Sequence, residues 1–178
     1  MTGPDALREL LARAAEGDDV ALSHLVRRTQ SDVWRLCTAL GDEGEVEDLV
    51  QETYLRMIRS VGSFRGDSSV RSWLLAIARN TCADQVRRRT RQRRLVDRLT
   101  QRAVPADVPA PTEPDTLLQI LSEDRREAFV LTQMLDLSYE DAAEVLGCPV
   151  GTIRSRVHRA REDLAAHARR GAVGGVEG

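Results

Sequence analysis

Lysine is absent from this chain of 178 residues, and all 26 of its basic side chains are arginines. Aromatic residues are scarce, two each of Trp, Tyr and Phe, too few to build a continuous stacking platform for bases. No apolar run approaches the ~20 residues needed to cross a bilayer, and the N-terminus carries no signal-like stretch, so a cytoplasmic protein is expected, with no membrane insertion. The three cysteines, Cys37, Cys82 and Cys148, are odd in number and widely separated, which excludes a disulfide framework and makes buried free thiols the reading. His24, His158 and His167 stand at no metal-ligand spacing from them. No metal, cofactor or catalytic site is expected, and the chain reads as a non-enzyme.

What is present is charge sorted into blocks. The net charge is only −2. Residues 63–102, however, hold eleven arginines against three aspartates, a local charge of +8, and residues 154–178 carry +3. The intervening stretches have the opposite sign, −5 over residues 1–62 and −8 over 103–153. Two basic islands of this kind can face DNA phosphates while the acidic faces meet a basic protein or solvent.

Apolar residues recur at helical spacing almost throughout, as in Leu22, Leu25, Val26, Val33, Leu36 and Leu40, and no alternating strand pattern occurs. Three helices fit between residues 4 and 62, with starts at Pro4 and Asp18/Asp19 and stops at Gly17 and Gly41/Gly44. Gly62 to Ser69 reads as a loop ending in a serine N-cap. A fourth helix follows, with an apolar stripe of Val70, Trp73, Leu74, Ile77 and Thr81, and it becomes arginine-dense beyond Val86. Pro105, Pro109, Pro111 and Pro114 mark the clearest shift in composition. The predicted fold is therefore all-α, with two small helical domains at 18–98 and 115–170 joined by a flexible, proline-rich linker at 99–114.

In the second domain a short helix and a longer one are expected between Leu117 and Leu137. Ser138 to Asp141 then fits a capping box, in which the hydroxyl and the carboxylate each satisfy an orphan N–H. Gly147 supplies a left-handed stop and Pro149 the first position of a last helix running to about Arg169, followed by a frayed glycine-rich tail. Two helices joined so tightly, the second studded with arginine, form a helix-turn-helix. Ile153 and Val157 face its core, leaving Arg154, Ser155, His158 and Arg159 to reach base edges and phosphates. A helical hairpin with merely solvated arginines is the plainer alternative.

Leu137 to Arg161, which includes Ser138-Tyr-Glu-Asp-Ala-Ala-Glu-Val-Leu-Gly-Cys-Pro, resembles region four of extracytoplasmic-function (ECF) RNA polymerase sigma factors nearly residue for residue. Asp48-Leu-Val-Gln-Glu-Thr-Tyr-Leu-Arg56 resembles their region 2.2, and Phe64 to Thr81 their regions 2.3 and 2.4. The order is right, most of residues 20–170 are covered, and the flavour is actinobacterial. The resemblance implies a sigma factor that binds core RNA polymerase, reads a minus-35 duplex and melts the minus-10 element. It implies that Asp48, Gln51, Glu52 and Leu55 dock on the clamp helices of the largest polymerase subunit, with a second contact to the flap of the second-largest. Phe64, the loop backbone and Asn80 then form the pocket for an unstacked minus-10 base, with Arg65, Arg79, Arg87 and Arg88 on the strand alongside. Thr152, Arg154, Ser155, Arg156, His158 and Arg159 form the minus-35 surface. An anti-sigma factor is the further partner implied. Trp73 is assigned to the core.

The chain departs from the family pattern at Leu121-Ser122, where Leu-Pro is customary, and at His158, a variable recognition position. Two rival readings stay open on the residues. A helix-turn-helix repressor or activator acting without polymerase explains 138–161 but not the Asp48 helix or the Phe64 loop. A helical scaffold whose arginines bind an acidic protein predicts no salt-sensitive DNA affinity.

Overall fold

The computed structural model describes residues 4–100 and 116–174. Among them every regular element is helical: α1 (Pro4–Ala15), α2 (Asp19–Leu40), α3 (Val46–Ser60), α4 (Val70–Thr100), α5 (Thr116–Gln119), α6 (Glu123–Phe129), α7 (Tyr139–Leu146) and α8 (Val150–Gly174). Single 3-10 turns occur at Glu43–Glu45 and Val61–Ser63, and a π-helical turn at Val130–Met134. The proline-bearing segment falls almost wholly outside the described residues, although its expected first two positions, 99 and 100, still belong to α4.

The first bundle is assembled from α1 to α4. Asp18 caps α2, its Oδ1 accepting from the N–H groups of Val20 and Ala21 at 3.0 and 2.9 Å, and Arg13 clamps Oδ2 at 2.6 Å. Those bonds, the Ala21 N–H foremost, hold the Asp18 carboxyl below the usual carboxylate range. Leu25, Val33, Leu36 and Cys37 of α2 meet Leu49 and Met57 of α3 and Leu74, Leu75, Ala78 and Cys82 of α4, all fully or nearly fully buried. Burying each such aliphatic side chain is worth about 1.5–3 kcal/mol. Inside, the Thr29 hydroxyl donates to the Leu25 carbonyl and meets the Tyr54 hydroxyl, both at 2.9 Å, whereas, among the described residues, the Thr38 hydroxyl and the Gln85 amide oxygen are buried without a partner. Burial pushes the Tyr54 phenol above its ordinary value. Trp73 is half-buried against this core, as expected.

The second bundle is assembled from α5 to α8 around Leu131, Leu135, Ile153, Val157 and Ala160. Arg126 closes α5 by donating from Nε to the Leu118 carbonyl at 2.8 Å, and burial pushes its guanidinium below the ordinary value. Ser122, where the family pattern has proline, forms the N-cap of α6, its carbonyl accepting from the Arg125 and Arg126 N–H groups. The long helix expected up to Leu137 is interrupted. Its register widens over Val130–Met134, the Leu135 N–H reaching back to Val130 and the Leu137 N–H to Leu131, both at 3.0 Å, with Asp136 at φ +53°. Leu135 and Leu137 are both buried beyond this turn. At the other end α8 runs through Gly174, beyond the expected fraying point. Residues 175–178 are outside the described set.

Candidate nucleic-acid and polymerase interfaces

Asp48, Gln51 and Leu55 project from α3 on its exposed side, with Glu52 half-buried beside them. Leu55 and Ile58 keep 42% and 45% of their surface in solvent, so a small apolar patch lies within a polar rim, the usual make-up of a docking face. Sequence reasoning missed Ile58, although it stands three residues beyond Leu55. The face is braced by a chain of ion pairs: Arg56 binds Glu52 at 2.8 Å and Asp84 of α4 at 2.7 Å, and Asp84 also takes Arg87 at 2.9 Å. Hydrogen bonds from Arg56 hold both the Glu52 and Asp84 carboxyls below their ordinary range.

The loop between α3 and α4 is pinned at several points. The Ser63 hydroxyl donates to the Ser60 carbonyl at 2.7 Å, and Ser69 caps α4 by accepting the Ser72 N–H at 2.9 Å. The Phe64 ring packs on Trp73, centroids 5.1 Å apart and planes at 55°. Arg65 and Asp67 stand fully in solvent, 3.4 Å from each other. Asn80 is exposed seven residues beyond Trp73 on the same face of α4. Two turns of helix, about 10 Å of rise, therefore separate it from Trp73. Arg87 and Arg88 continue the exposed face.

Arg79 is differently placed. Its guanidinium donates to both carboxylate oxygens of Glu127 on α6, at 2.6 and 3.0 Å, and to Asn80 Oδ1 at 3.3 Å. The bond to Glu127 raises its pKa further. Two neighbours on α4 also reach the second bundle. Arg71 bridges Asp32 and the Leu135 carbonyl at 2.7 and 2.6 Å, and the Ser72 hydroxyl donates to Asp141 at 3.2 Å. The helix expected to face DNA phosphates thus also holds the two bundles together.

The helix-turn-helix forms as its residues dictate. Ser138 Oγ accepts the Asp141 N–H at 3.0 Å. The expected capping box closes only on that side, because the Asp141 carboxylate takes the hydroxyls of Ser138 and Ser72 instead of the Ser138 N–H. Gly147 is left-handed, φ +60°, and its N–H and that of Cys148 return to the last turn of α7. Ala142 and Ala143 are buried where α7 meets α8. On α8, Ile153 and Val157 point inward, while Arg154, Ser155, His158 and Arg159 are exposed and Thr152 is half-buried. His158 Nε2 lies 3.5 Å from Glu162. Arg156 is turned sideways, half-buried, onto Asp124 at 2.7 Å and the Cys148 sulfur.

Residues 25–92 match the family model of Sigma-70 region 2, and residues 115–164 that of Sigma-70, region 4. The ECF RNA polymerase sigma factor SigC of Mycobacterium tuberculosis is 46% identical over 170 residues, which cover 92% of each chain. The ECF RNA polymerase sigma-E factor of Haemophilus influenzae is 36% identical, covering 86% of this chain and 90% of its own. Among solved structures, CnrH in complex with the cytosolic domain of CnrY superposes with a TM-score of 0.73 at 30% identity, covering 93% of this chain and 98% of that one. The sigma factor RpoE in complex with the anti-sigma factor NepR, from Bartonella quintana, gives 0.69 at 30% identity, with 83% and 96% covered. Helix α1 precedes the residues matched by either family model.

Proposed function

The chain belongs to the ECF RNA polymerase sigma factors, and from that membership we propose how its surfaces divide the work of starting transcription. It binds core RNA polymerase and directs it to promoters. It makes and breaks no bond itself and works in the cytoplasm, beside the polymerase that does the chemistry. The observation that carries this division is the separation of two exposed polar faces, the loop with α4 in the first bundle and α8 in the second.

Asp48, Gln51, Glu52 and Leu55 dock on the clamp helices of the largest subunit, where an acidic rim around Leu55 and Ile58 suits a basic, partly apolar helix. The second bundle meets the flap. Arg154, Ser155, His158 and Arg159, with Thr152, lie in the major groove of the minus-35 duplex, and Arg156 joins once it leaves Asp124. At the minus-10 element, extruding a base costs a few kcal/mol of stacking that a pocket must recover. The loop around Phe64 and Arg65, with Asn80, supplies that pocket. Arg87 and Arg88 hold the strand, and Arg79 follows when Glu127 releases it. An anti-sigma factor covers these faces when the protein is idle, a reading supported by the complexes in which its structural relatives occur.

Run-off transcription on a promoter library with purified core enzyme tests the proposal. Promoter-specific transcripts that appear only when this chain is added support it. Tight duplex binding without any such transcripts refutes it in favour of a repressor.

A further inference from the structure

Arg8 lies on α1, before the matched family regions, and nothing assigned so far to promoter reading involves it. Helix α1 is fixed to the first bundle by Leu11, which is buried, and by Leu7 and Leu10, which pack against the same core. The backbone of residue 8 is therefore held in place, and its exposed side chain is aimed at the loop. Arg8 Nη2 donates to the Gly66 carbonyl at 2.8 Å, a bond spanning 58 residues.

The loop's own bonds secure its ends. The Phe64 N–H returns to Val61, Ser63 to Ser60, and Ser69 caps α4. Between those ends, the bond from Arg8 reaches the Arg65-Gly66-Asp67 tip from another element. Gly66 has φ +79°, a turn that L side chains rarely adopt. A Cβ built there would lie 3.4, 3.5 and 3.6 Å from Nη2, Cζ and Nη1 of Arg8, so the face of the guanidinium covers the side of the glycine that a side chain would occupy.

We propose that Arg8 is a positioning residue for minus-10 reading: by holding the Gly66 carbonyl it fixes the left-handed turn that presents Arg65 and Asp67 to the opened strand. A loop already ordered in its reading shape loses less of its binding to the cost of becoming ordered when the base arrives. The inference rests on the sigma-factor function proposed above.

The experiment uses the full-length chain with core RNA polymerase on a promoter pool randomised across the minus-10 element, selected by transcription. The chains compared are the unaltered protein, Arg8→Ala and Arg8→Lys. Arg8→Ala should stay folded and melt within a few degrees of the unaltered chain, because the side chain is exposed. It should lower base preference at one or more minus-10 positions by about three- to tenfold, the worth of one such hydrogen bond. Arg8→Lys, which can still donate to the carbonyl, should restore most of the preference, and neither variant should alter the salt dependence of promoter affinity.

Undiminished preference in Arg8→Ala would overturn the assignment. So would intact preference together with a salt slope reduced by about one, which would make Arg8 a phosphate contact. If the unaltered chain enriches no minus-10 sequence at all, the sigma-factor reading itself fails and this inference falls with it.

Discussion

Arg79 of α4 and Glu127 of α6, 48 residues apart, form a two-pronged ion pair whose acidic side chain is only 4% exposed. Such a pair carries both charge and geometry, and the two halves of the molecule meet across it. Removing one partner leaves the other desolvated, whereas removing both leaves an apolar contact. Glu127→Ala should therefore cost about 2–3 kcal/mol, less than for a fully buried pair because Arg79 keeps 28% of its side chain in solvent. The double replacement Arg79→Leu with Glu127→Ala should come within about 1–2 kcal/mol of the original. Urea unfolding of the four proteins in a double-mutant cycle gives the coupling directly, and a coupling near zero would contradict the geometry.

Gly41 is constrained by space. Its backbone is extended, φ −91° and ψ −177°, open to any residue. A Cβ there would nevertheless sit 2.6 Å from the Cys37 carbonyl oxygen and press on Leu49 Cδ1. The leucine can turn aside, but the carbonyl cannot, and it already accepts the Gly41 N–H at 2.8 Å. Gly41→Ala should lose about 2–3 kcal/mol by thermal or urea unfolding, whereas Gly44→Ala, in open space, should change little.

Much of this architecture is legible in the residues because helix ends are written locally. Asp18, Ser69, Ser138 and Gly147 each act within four residues of themselves, and the apolar period marks which side of each helix is buried. What the sequence hides is partnership across distance. Arg79, in an arginine-rich stretch, reads as a phosphate ligand, and nothing nearby announces Glu127. Arg8 and Gly66 likewise share no local signal, and Phe64 reads as part of a base pocket although its ring also leans on Trp73. The widened turn at Val130–Met134 breaks the period that would have revealed it.

Asn80 and Arg154 lie on different bundles and should fail differently. Asn80→Ala should reduce permanganate reactivity of the opened minus-10 strand while leaving duplex affinity intact. Arg154→Ala should weaken minus-35 duplex binding by about 1–3 kcal/mol, with opening largely preserved on promoters already bound. Equal loss of both activities in both variants would contradict the division of labour.

Leu55 is nearly half in solvent and adds little to the core. Leu55→Asp should leave the melting temperature unchanged yet lower affinity for core polymerase about tenfold or more, measured by fluorescence titration.

Acid should unfold the first bundle by a specific route. Asp18, held down first by the Ala21 N–H, and Glu52 and Asp84, held down by Arg56, all have carboxyls below their ordinary range. The unfolded chain therefore binds more protons in that range, and the stability these groups supply is full above about pH 4–5. It falls away as pH drops through the lowered folded values. The urea midpoint should decline steeply below pH 4, and Asp18→Asn should make that decline shallower.

Counting arginines overstates the pull this protein exerts on a polyanion. Among the described residues, five of those between residues 63 and 102 already face a carboxylate, and Asp32, Asp42 and Glu127 are drawn in from outside that stretch. Each such neighbour cancels field that a phosphate would otherwise feel. The number of counterions released on strand capture should therefore fall well short of the number of guanidinium groups nearby, and the grip on DNA should tighten when those carboxylates move away.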